Sequence, residues 1–368
     1  MSTAAPKRTG MAPPAPRMTS AGESESESWP RIGTTPAELV LERGRVRLLR
    51  YRPRVPAAGP PFLLVMPVIN RAYIADLTPA TSIMTAFQEA GIDTFLVDWG
   101  KPGLADKDVG LDDLVARELP AIERSVLEIS GAPELVLGGY CLGGTIAVCR
   151  AARGAAATNA RERARHAGLV TWHAPVSFAD AGPLGTFTAP ANFPVEALVA
   201  AFGNMPGWLL QQGFSMGKPL QHVAKYRRLW ERLAHEDRYF KKLETRDALE
   251  EFIALERWNS DNVPVTGAFY LRLINDLYRG DRLVKGTLAI KGENLSLTAI
   301  TCPVLVVVAK DDPICLPHQA RALVEHVSSA EKSVHEVSGG HVRSLTGPRA
   351  RMPFARTLAT WIAARGTP

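Results

Sequence analysis

The sequence predicts an α/β fold in which a mostly parallel, doubly wound sheet carries a helical insertion. Between residues 60 and 178, short continuous apolar runs alternate with amphipathic helical segments, an order that implies right-handed βαβ units. Helical periodicity then fills residues 179–285, and strand-like order returns at 302–313. The chain has 368 residues, 46% of them hydrophobic, which is enough to bury one large core.

Each predicted element follows from local pattern. Residues 36–51, PAELVLERGRVRLLRY, alternate apolar and polar side chains, which predicts an antiparallel hairpin. The apolar runs at 60–70 and 93–100 predict buried parallel strands, and 82–91 predicts a helix ending at Gly91. Residues 111–131 predict a helix that Pro120 kinks or breaks. Further predicted elements are strands in 134–140, 167–178, 304–309 and 332–337, and helices at 145–154, 318–328 and 353–365.

The insertion divides the chain into predicted regions. It falls after the strand that ends at Tyr140 and before the strand that leads to Asp312, so we interpret 179–285 as a cap over the carboxyl edge of the sheet. A second core domain packed alongside is the alternative. The core then comprises 29–178 and 286–368. Residues 1–28, rich in Pro, Ser, Ala and Gly, predict a disordered tail.

Composition argues against several classes of protein. The net charge is +6, but the basic run at 225–242 interleaves Glu and Asp, which favours a solvated helix over a nucleic-acid interface. The four cysteines form neither a CxxC pair nor a zinc pattern, which predicts reduced thiols and no metal site. No apolar run approaches the ~20 residues of a membrane span, and 1–28 lacks the apolar stretch of an export signal. We therefore expect a cytoplasmic protein.

The stretch LVLGGYCLGG, residues 135–144, runs an apolar strand into a cysteine flanked by glycines. Gly139 and Gly143 stand two residues before and after Cys141, the layout of a nucleophile elbow, whose strained turn requires small residues. The helix that follows directs its N-terminal dipole at Cys141, which favours the thiolate. A buried structural cysteine in a glycine-rich turn is the alternative interpretation.

Later residues supply partners for this cysteine. In α/β-hydrolase folds the nucleophile, acid and base occur in that chain order, each after a strand. KDDP places Asp311 or Asp312 after one predicted strand, and SGGHV places His341 after the last. The base would take the thiol proton while the carboxylate orients its ring. The oxyanion hole is expected from backbone N–H groups, one of Leu142 and one near Ile69 or Asn70.

Other reactive side chains receive structural interpretations. His173 follows a predicted strand but precedes APVSF, and we interpret it as a satisfied structural residue. Cys149 lies eight residues after Cys141 on the same predicted helix, where a packed small apolar residue is expected. Cys302 and Cys315 bracket the strand and turn that bear the acid without evident partners, and are interpreted as structural.

Several segments resemble the polyhydroxyalkanoate synthases, most closely the catalytic subunit of the two-subunit class III enzymes. The resemblance covers residues 36–365 and is specific in its elbow cysteine, its Asn70 loop and its RWNSD segment. The segments that carry it are VINRAYIADL at 68–77, DTFLVDWGKPG at 93–103, GGYCLGGTIA at 138–147, FGNMPGWLLQQGF at 202–214, ERWNSDNVPVTGAFYLRLINDLY at 256–278, CPVLVVVAKDDPICLP at 302–317 and SGGHV at 338–342.

The resemblance assigns roles to individual residues. The family nucleophile matches Cys141, its base His341 and its acid Asp312. Two departures lie beside these positions: Pro313 follows the acid, where the family often has His, and Arg343 follows the base, where small or apolar residues are usual. Candidates for the lining of a substrate channel are Tyr73, Trp258 and Asn259.

The resemblance also implies a reaction, the growth of a polyester from (R)-3-hydroxyacyl-coenzyme A with release of coenzyme A through a covalent cysteine thioester. Coenzyme A then belongs to the substrate, and no cofactor or metal is expected. Implied partners are the growing polyester chain and a second synthase subunit or a second copy of the chain, at the surface of storage granules. Two alternatives remain: a cysteine hydrolase, either depolymerase or thioesterase, and a non-catalytic granule-associated protein.

Overall fold

An eight-stranded sheet forms the centre of the computed structural model, which describes residues 30–159, 163–216 and 241–366. The strand order is β1-β2-β4-β3-β5-β6-β9-β10, and β7 and β8 form a separate antiparallel pair. The strands are β1 (Glu38–Arg43), β2 (Val46–Tyr51), β3 (Phe62–Val65), β4 (Thr94–Asp98), β5 (Leu135–Tyr140), β6 (His166–Trp172), β7 (Ala289–Ile290), β8 (Glu293–Asn294), β9 (Val304–Ala309) and β10 (Lys332–Val337). From β4 to β10 neighbouring strands are parallel, whereas β1–β2 and β2–β4 are antiparallel.

Helices connect the strands and make up most of the described part of the insertion. They are α1 (Ile83–Glu89), α2 (Leu111–Asp113, a π-helical stretch Leu114–Glu118, and Leu119–Ser130), α3 (Leu142–Ala156), α4 (Gly182–Thr188), α5 (Val195–Phe202), α6 (Gly207–Met216), α7 (Lys241–Ser260), α8 (Gly267–Arg272, continuing as a π-helix Leu273–Arg279), α9 (Pro317–His326), α10 (Arg343–Thr346) and α11 (Pro348–Ala363). Short 3-10 turns lie at Ala72–Asp76, Leu104–Asp106 and Leu297–Ala299.

The core lies on both sides of the central parallel strands. Every residue of β3, β4, β5 and β9 is buried, as expected for parallel strands that are covered on both faces. On one face α1 packs against α11, and an aromatic cluster of Phe87, Trp172 and Phe354 fills the space between sheet and helices. The predicted α/β fold with a mostly parallel sheet is thereby confirmed.

Two local features were not resolved by the sequence. The helix around Pro120 neither ends nor breaks; it widens into π-helix over Leu114–Glu118, directly ahead of the proline. A wider turn relieves the clash between the proline ring and the preceding carbonyl, and the missing N–H loses no α-helical bond there. The β7–β8 hairpin was not predicted, because strands of two residues leave no periodic signal.

The predicted hairpin at 36–51 is confirmed by the antiparallel β1–β2 pair. The described part of the predicted cap, 179–285, contains α4 to α8, and its role as a cap stays a prediction. The predicted disordered tail at 1–28 and most of the basic run at 225–242 lie outside the described residues. None of the helices in the described ranges combines the length and apolar character needed to cross a lipid bilayer.

Candidate active site

Cys141 occupies a strained turn between β5 and α3. Its φ of 53° lies in the left-handed region that few residues other than glycine adopt. The turn is fixed by two backbone hydrogen bonds: the Cys141 N–H donates to the Trp172 carbonyl at 2.9 Å, and the Gly144 N–H donates to the Cys141 carbonyl at 2.9 Å. The residue is 8% exposed. This geometry holds the cysteine in one backbone orientation at the carboxyl end of the sheet.

The glycines around Cys141 are required by close backbone contacts. A Cβ on Gly143 would lie 2.1 Å from the Val65 carbonyl oxygen at the end of β3. A Cβ on Gly139 would lie 2.5 Å from the Gly143 carbonyl oxygen. Both distances are far shorter than any contact a side chain makes, so strand, turn and helix approach each other this closely only without side chains at these positions.

A carboxylate and an imidazole meet at the ends of the last two strands. Asp312 lies three residues beyond β9, and its Oδ2 is 2.7 Å from Nδ1 of His341, which lies four residues beyond β10. The other oxygen of Asp312 accepts the N–H groups of Ile314 at 2.8 Å and Cys315 at 3.0 Å. Asp311 is exposed, so the carboxylate at the imidazole is that of Asp312.

The His341 ring lies next to two groups that favour its protonated form. Burial opposes its protonation, but interactions with the Cys141 sulfur and the Asp312 carboxylate outweigh burial and raise the pKa of His341 to about 10. Burial acts to raise the pKa of Asp312, but hydrogen bonds and charge from His341 lower it overall. The imidazolium of His341 and the carboxylate of Asp312 can therefore coexist at neutral pH.

The other three thiols have a different environment. Burial raises the pKa of Cys149 to about 12 and that of Cys302 to about 11. Burial also raises the pKa of Cys315, and the nearby Asp312 and Cys141 add to the effect. Cys315 nevertheless lines the same cavity as Cys141, and its N–H holds Asp312, a proximity that its interpretation as a structural residue without partners missed.

A cavity of about 260 Å³ adjoins Cys141. Its lining is almost entirely apolar and comes from two parts of the chain. The parts before and after the insertion contribute Ile69, Cys141, Leu142, Pro175, Ile314 and Cys315. Helices and loops of the insertion contribute Leu184, Phe187, Thr188, Phe193, Leu209, Leu210, Tyr270, Leu273, Ile274 and Tyr278. The insertion thus walls one side of a small apolar chamber whose other side contains the thiol.

The structure brings two of the predicted oxyanion residues to this chamber. Leu142 and Ile69 both line it. The N–H of Leu142 is the first of α3 and has no helical acceptor, which leaves it able to bind an oxyanion. Asn70 does not line the cavity; its side-chain amide lies 3.4 Å from the Asn262 side-chain oxygen.

The three residues predicted for a substrate channel lie outside the lining of this cavity. The indole N–H of Trp258 donates to the Arg71 carbonyl at 2.8 Å, and Asn259 is exposed. Tyr73 borders a separate polar cavity, next to Asp76 and Arg71. A channel role for Tyr73, Trp258 and Asn259 stays a prediction.

His173 was given a satisfied structural role from the sequence, and on one point this was wrong. Its Nε2 is 2.5 Å from the Ser344 hydroxyl, but its Nδ1 has no hydrogen-bond partner in the described part of the chain and lies 3.7 Å from Asp312 Oδ2. The sequence signal was its place directly after a predicted strand; that this strand, β6, lies between the strands that lead to Cys141 and Asp312 follows only from the sheet order.

No group of three or more His, Cys, Asp or Glu side chains within the described ranges is arranged to hold a metal ion.

Comparison with known proteins agrees with this architecture. The family defined by the alpha/beta hydrolase fold matches residues 76–348. The chain therefore belongs to the α/β-hydrolase fold family. A soluble variant of monoglyceride lipase from Saccharomyces cerevisiae, solved with a substrate analog, has the same fold, with a TM-score of 0.56 at 15% identity over 90% of this chain and 98% of that one.

Within that fold family the chain is similar to poly(3-hydroxyalkanoate) polymerase subunits, which confirms the resemblance found in the motifs. The subunit from Haloferax mediterranei is 31% identical over 93% of this chain and 66% of its own length. Those from Synechocystis sp. and Allochromatium vinosum are 27% and 28% identical, over 91% and 90% of this chain and 86% and 89% of their own lengths. The chain thus spans about two thirds of the Haloferax mediterranei subunit and most of the other two.

Proposed function

We propose that this chain is a polyester synthase that polymerises (R)-3-hydroxyacyl groups from their coenzyme A thioesters. The observation that carries the proposal is a cysteine, rather than a serine, in the strained elbow, next to an imidazole that the Asp312 carboxylate binds. Similarity to proteins named poly(3-hydroxyalkanoate) polymerase supports the substrate class.

Two transfers make up the proposed cycle. In the first, the Cys141 thiolate attacks the thioester carbonyl, the carbon–sulfur bond to coenzyme A breaks, and the leaving thiolate takes a proton from His341. In the second, the hydroxyl of the next monomer or of the growing chain gives its proton to His341 and attacks the acyl-enzyme, releasing Cys141. The N–H groups of Leu142 and of Ile69 or Asn70 would stabilise the oxyanion in both steps.

Sulfur suits this cycle because exchange of one thioester for another has nearly balanced energetics. The acyl-enzyme must be kept from water until a hydroxyl arrives, and we propose that the helices of 179–285 act as a cap that does so. Support comes from the ten residues of the insertion that wall the cavity. A volume of about 260 Å³ lies below the roughly 300–1,000 Å³ of drug-sized ligand sites, which suits an acyl group rather than a whole coenzyme A thioester.

The test supplies the full-length protein with (R)-3-hydroxybutyryl-coenzyme A and measures free thiol and polymer in the same reaction. Coenzyme A release matched by polymer is expected, together with an acyl group on Cys141 detected by peptide mass spectrometry. The variant Cys141→Ala should lose all three signals. Cys302→Ala, a half-buried thiol that does not line the cavity, serves as the matched control and should keep them.

Other outcomes discriminate between functions. Thiol release without polymer would indicate a hydrolase, and the absence of both release and acyl label would indicate a non-catalytic protein. Because the relatives are named subunits, we also propose that the chain works in an oligomer, either with a second copy or with a second synthase subunit, at the surface of the polyester granule. Light scattering during the reaction would measure the molecular mass of the protein and so detect this oligomer.

A further inference from the structure

A second imidazole lies beside the acid–base pair. His173 follows β6 directly, is 1% exposed and adopts a φ of 49°. Its ring centroid is 5.6 Å from that of His341 and 6.3 Å from that of Tyr140. The ionisable groups that face it are therefore Asp312, His341 and Tyr140.

The tautomer of His173 depends on which acceptor takes the hydroxyl proton of Ser344. Ser344 has one hydroxyl proton and two acceptors within reach, the His341 carbonyl at 3.0 Å and His173 Nε2 at 2.5 Å. The His341 carbonyl already receives the Tyr140 hydroxyl at 3.0 Å. If Ser344 donates to Nε2, the proton of His173 resides on Nδ1 and faces the Asp312 carboxylate. In the other tautomer, a nitrogen lone pair would face that carboxylate, which is electrostatically unfavourable.

We infer that His173 is a positioning residue for Asp312, held by Ser344 in the tautomer that directs an Nδ1–H at the same oxygen that His341 binds. At 3.7 Å the contact is longer than a hydrogen bond of about 2.7–3.2 Å and acts electrostatically. It stabilises the ionised carboxylate and restrains its rotation, so that Oδ2 stays directed at His341. Burial, aided by repulsion from a protonated His341, lowers the pKa of His173 to about 3, which keeps this second ring neutral beside the first.

This inference rests on the proposed role of Cys141 as nucleophile, but its test does not need polymer synthesis. Alkylation of Cys141 by iodoacetamide, followed by peptide mass spectrometry as a function of pH, reports the state of the thiol and its partners directly. Three variants separate the possibilities. His173→Asn retains an amide N–H close to the position of Nδ1 and tolerates the positive φ. His173→Leu retains bulk without a donor, and Ser344→Ala removes the group that selects the tautomer.

We expect His173→Leu to alkylate on the order of tenfold more slowly at pH 7, because small displacements of a catalytic group have effects of this size or larger. Its acid limb should lie at higher pH, since Asp312 without the second donor protonates more readily. His173→Asn should retain most of the rate and the parental acid limb. Ser344→Ala should fall between them. Thermal unfolding of each variant separates lost stability from lost positioning.

The tautomer itself is observable. The 15N spectrum of protein labelled at its eight histidines, with His173 assigned by its loss in His173→Asn, should show a neutral Nδ1–H ring from pH 5 to 8. An Nε2–H ring, or a His173→Leu variant with the parental alkylation profile, would overturn the inference. Failure of polymer synthesis with these signatures intact would instead count against the proposed function alone.

Discussion

The imidazole of His341 lies between a sulfur and a carboxylate, both close enough to favour its charged form despite burial. An ordinary free thiol, with a pKa of about 8.5, is mostly protonated at neutral pH. In the proposed mechanism, an imidazolium would stabilise the Cys141 thiolate, and the carboxylate would in turn stabilise the imidazolium. The reactivity of Cys141 should therefore depend on a residue that does not touch it, Asp312.

The variant Asp312→Asn tests this dependence. The asparagine side chain can still accept the N–H groups of Ile314 and Cys315 through its oxygen, so the loop should keep its shape. The amide cannot stabilise an imidazolium and disfavours the correct tautomer, and we expect turnover to fall about 10³–10⁴-fold. The measurement is the initial rate of coenzyme A release from (R)-3-hydroxybutyryl-coenzyme A at pH 7.

Asp311→Asn is the matched control for that change. It makes the same substitution one residue earlier in the chain, on an exposed side chain. We expect a rate within a factor of two of the parent, because no described contact links Asp311 to His341. Equal losses in both variants would show that the loop, rather than one carboxylate, carries the effect.

Residue types and chain order predicted Cys141 and His341, but spacing alone left Asp311 and Asp312 equivalent. Adjacent loop residues point in different directions, and only the hydrogen bonds of Ile314 and Cys315 fix which carboxylate turns inward. His173 escaped prediction for a related reason. Its importance comes from lying between two other strands, and strand neighbourhood is a property of the fold rather than of the local sequence.

At the scale of elements, the elbow joins β5 to α3 with no room for side chains at Gly139 and Gly143. The same turn places Leu142, the proposed oxyanion donor, in the lining of the cavity, so the proposed oxyanion site depends on the shape of the turn. A substitution that moves the helix start should therefore affect stability and rate together.

Gly143→Ala should produce both effects. Its Cβ would meet backbone atoms of Val65 and Met66 at 2.1–2.8 Å, which cannot move without shifting the strand. We expect a loss of about 1–3 kcal/mol in the free energy of unfolding, measured with urea, and a fall in coenzyme A release. The control is Gly103→Ala, whose Cβ would meet only the Asp106 carboxylate at 3.8 Å. Parental stability in Gly143→Ala would show that the helix start is adaptable.

Most helices and strands could be predicted because their apolar periodicity is strong. Local departures from that periodicity could not be predicted. The π-helical stretches in α2 and α8 add a residue to a turn without changing the apolar pattern by enough to be noticed. In α8 this matters for the site, because Leu273, Ile274 and Tyr278 of the π-helix reach the cavity.

The insertion should also set the size of the acyl group. Phe187 lines the cavity and packs on Phe193 with ring centroids 5.0 Å apart. Phe187→Ala enlarges the chamber, and we expect the ratio of kcat/KM for 3-hydroxyhexanoyl- over 3-hydroxybutyryl-coenzyme A to rise about tenfold. Phe202→Ala, on the same insertion but 43% exposed and outside the lining, should leave the ratio unchanged. A similar change in both variants would contradict this assignment.

At the scale of the whole molecule, sheet order assembles groups that are far apart in sequence. The order β5-β6-β9-β10 places Cys141, His173, Asp312 and His341 at the ends of four successive parallel strands. Parallel strands align their carboxyl ends, so one edge of the sheet collects all four residues. The sequence predicted the chain order of three of them, whereas the adjacency that adds His173 required the topology.

A buried charge network links β6 to α2 and α3. Arg150 donates to Glu123 at 2.7 Å, and His166 Nε2 lies 3.0 Å from the same carboxylate. All three side chains are at most 6% exposed. Removing one partner of a buried ion pair is far more damaging than removing an exposed one.

Glu123→Gln should therefore lower the free energy of unfolding at pH 7 by about 3–5 kcal/mol in urea titrations. Burial opposes the charge of Glu123, but His166 and Arg150 lower its pKa below the ordinary 4.5. A carboxyl with a lowered folded pKa stabilises fully above pH 4.5 and loses this contribution as pH falls through the folded value, so the gap between parent and variant should narrow in acid. Glu38→Gln removes an exposed bidentate pair with Arg52 and should leave stability near the parental value at every pH. A gap that stays constant down to pH 3 would mean that Glu123 stabilises by packing rather than by charge.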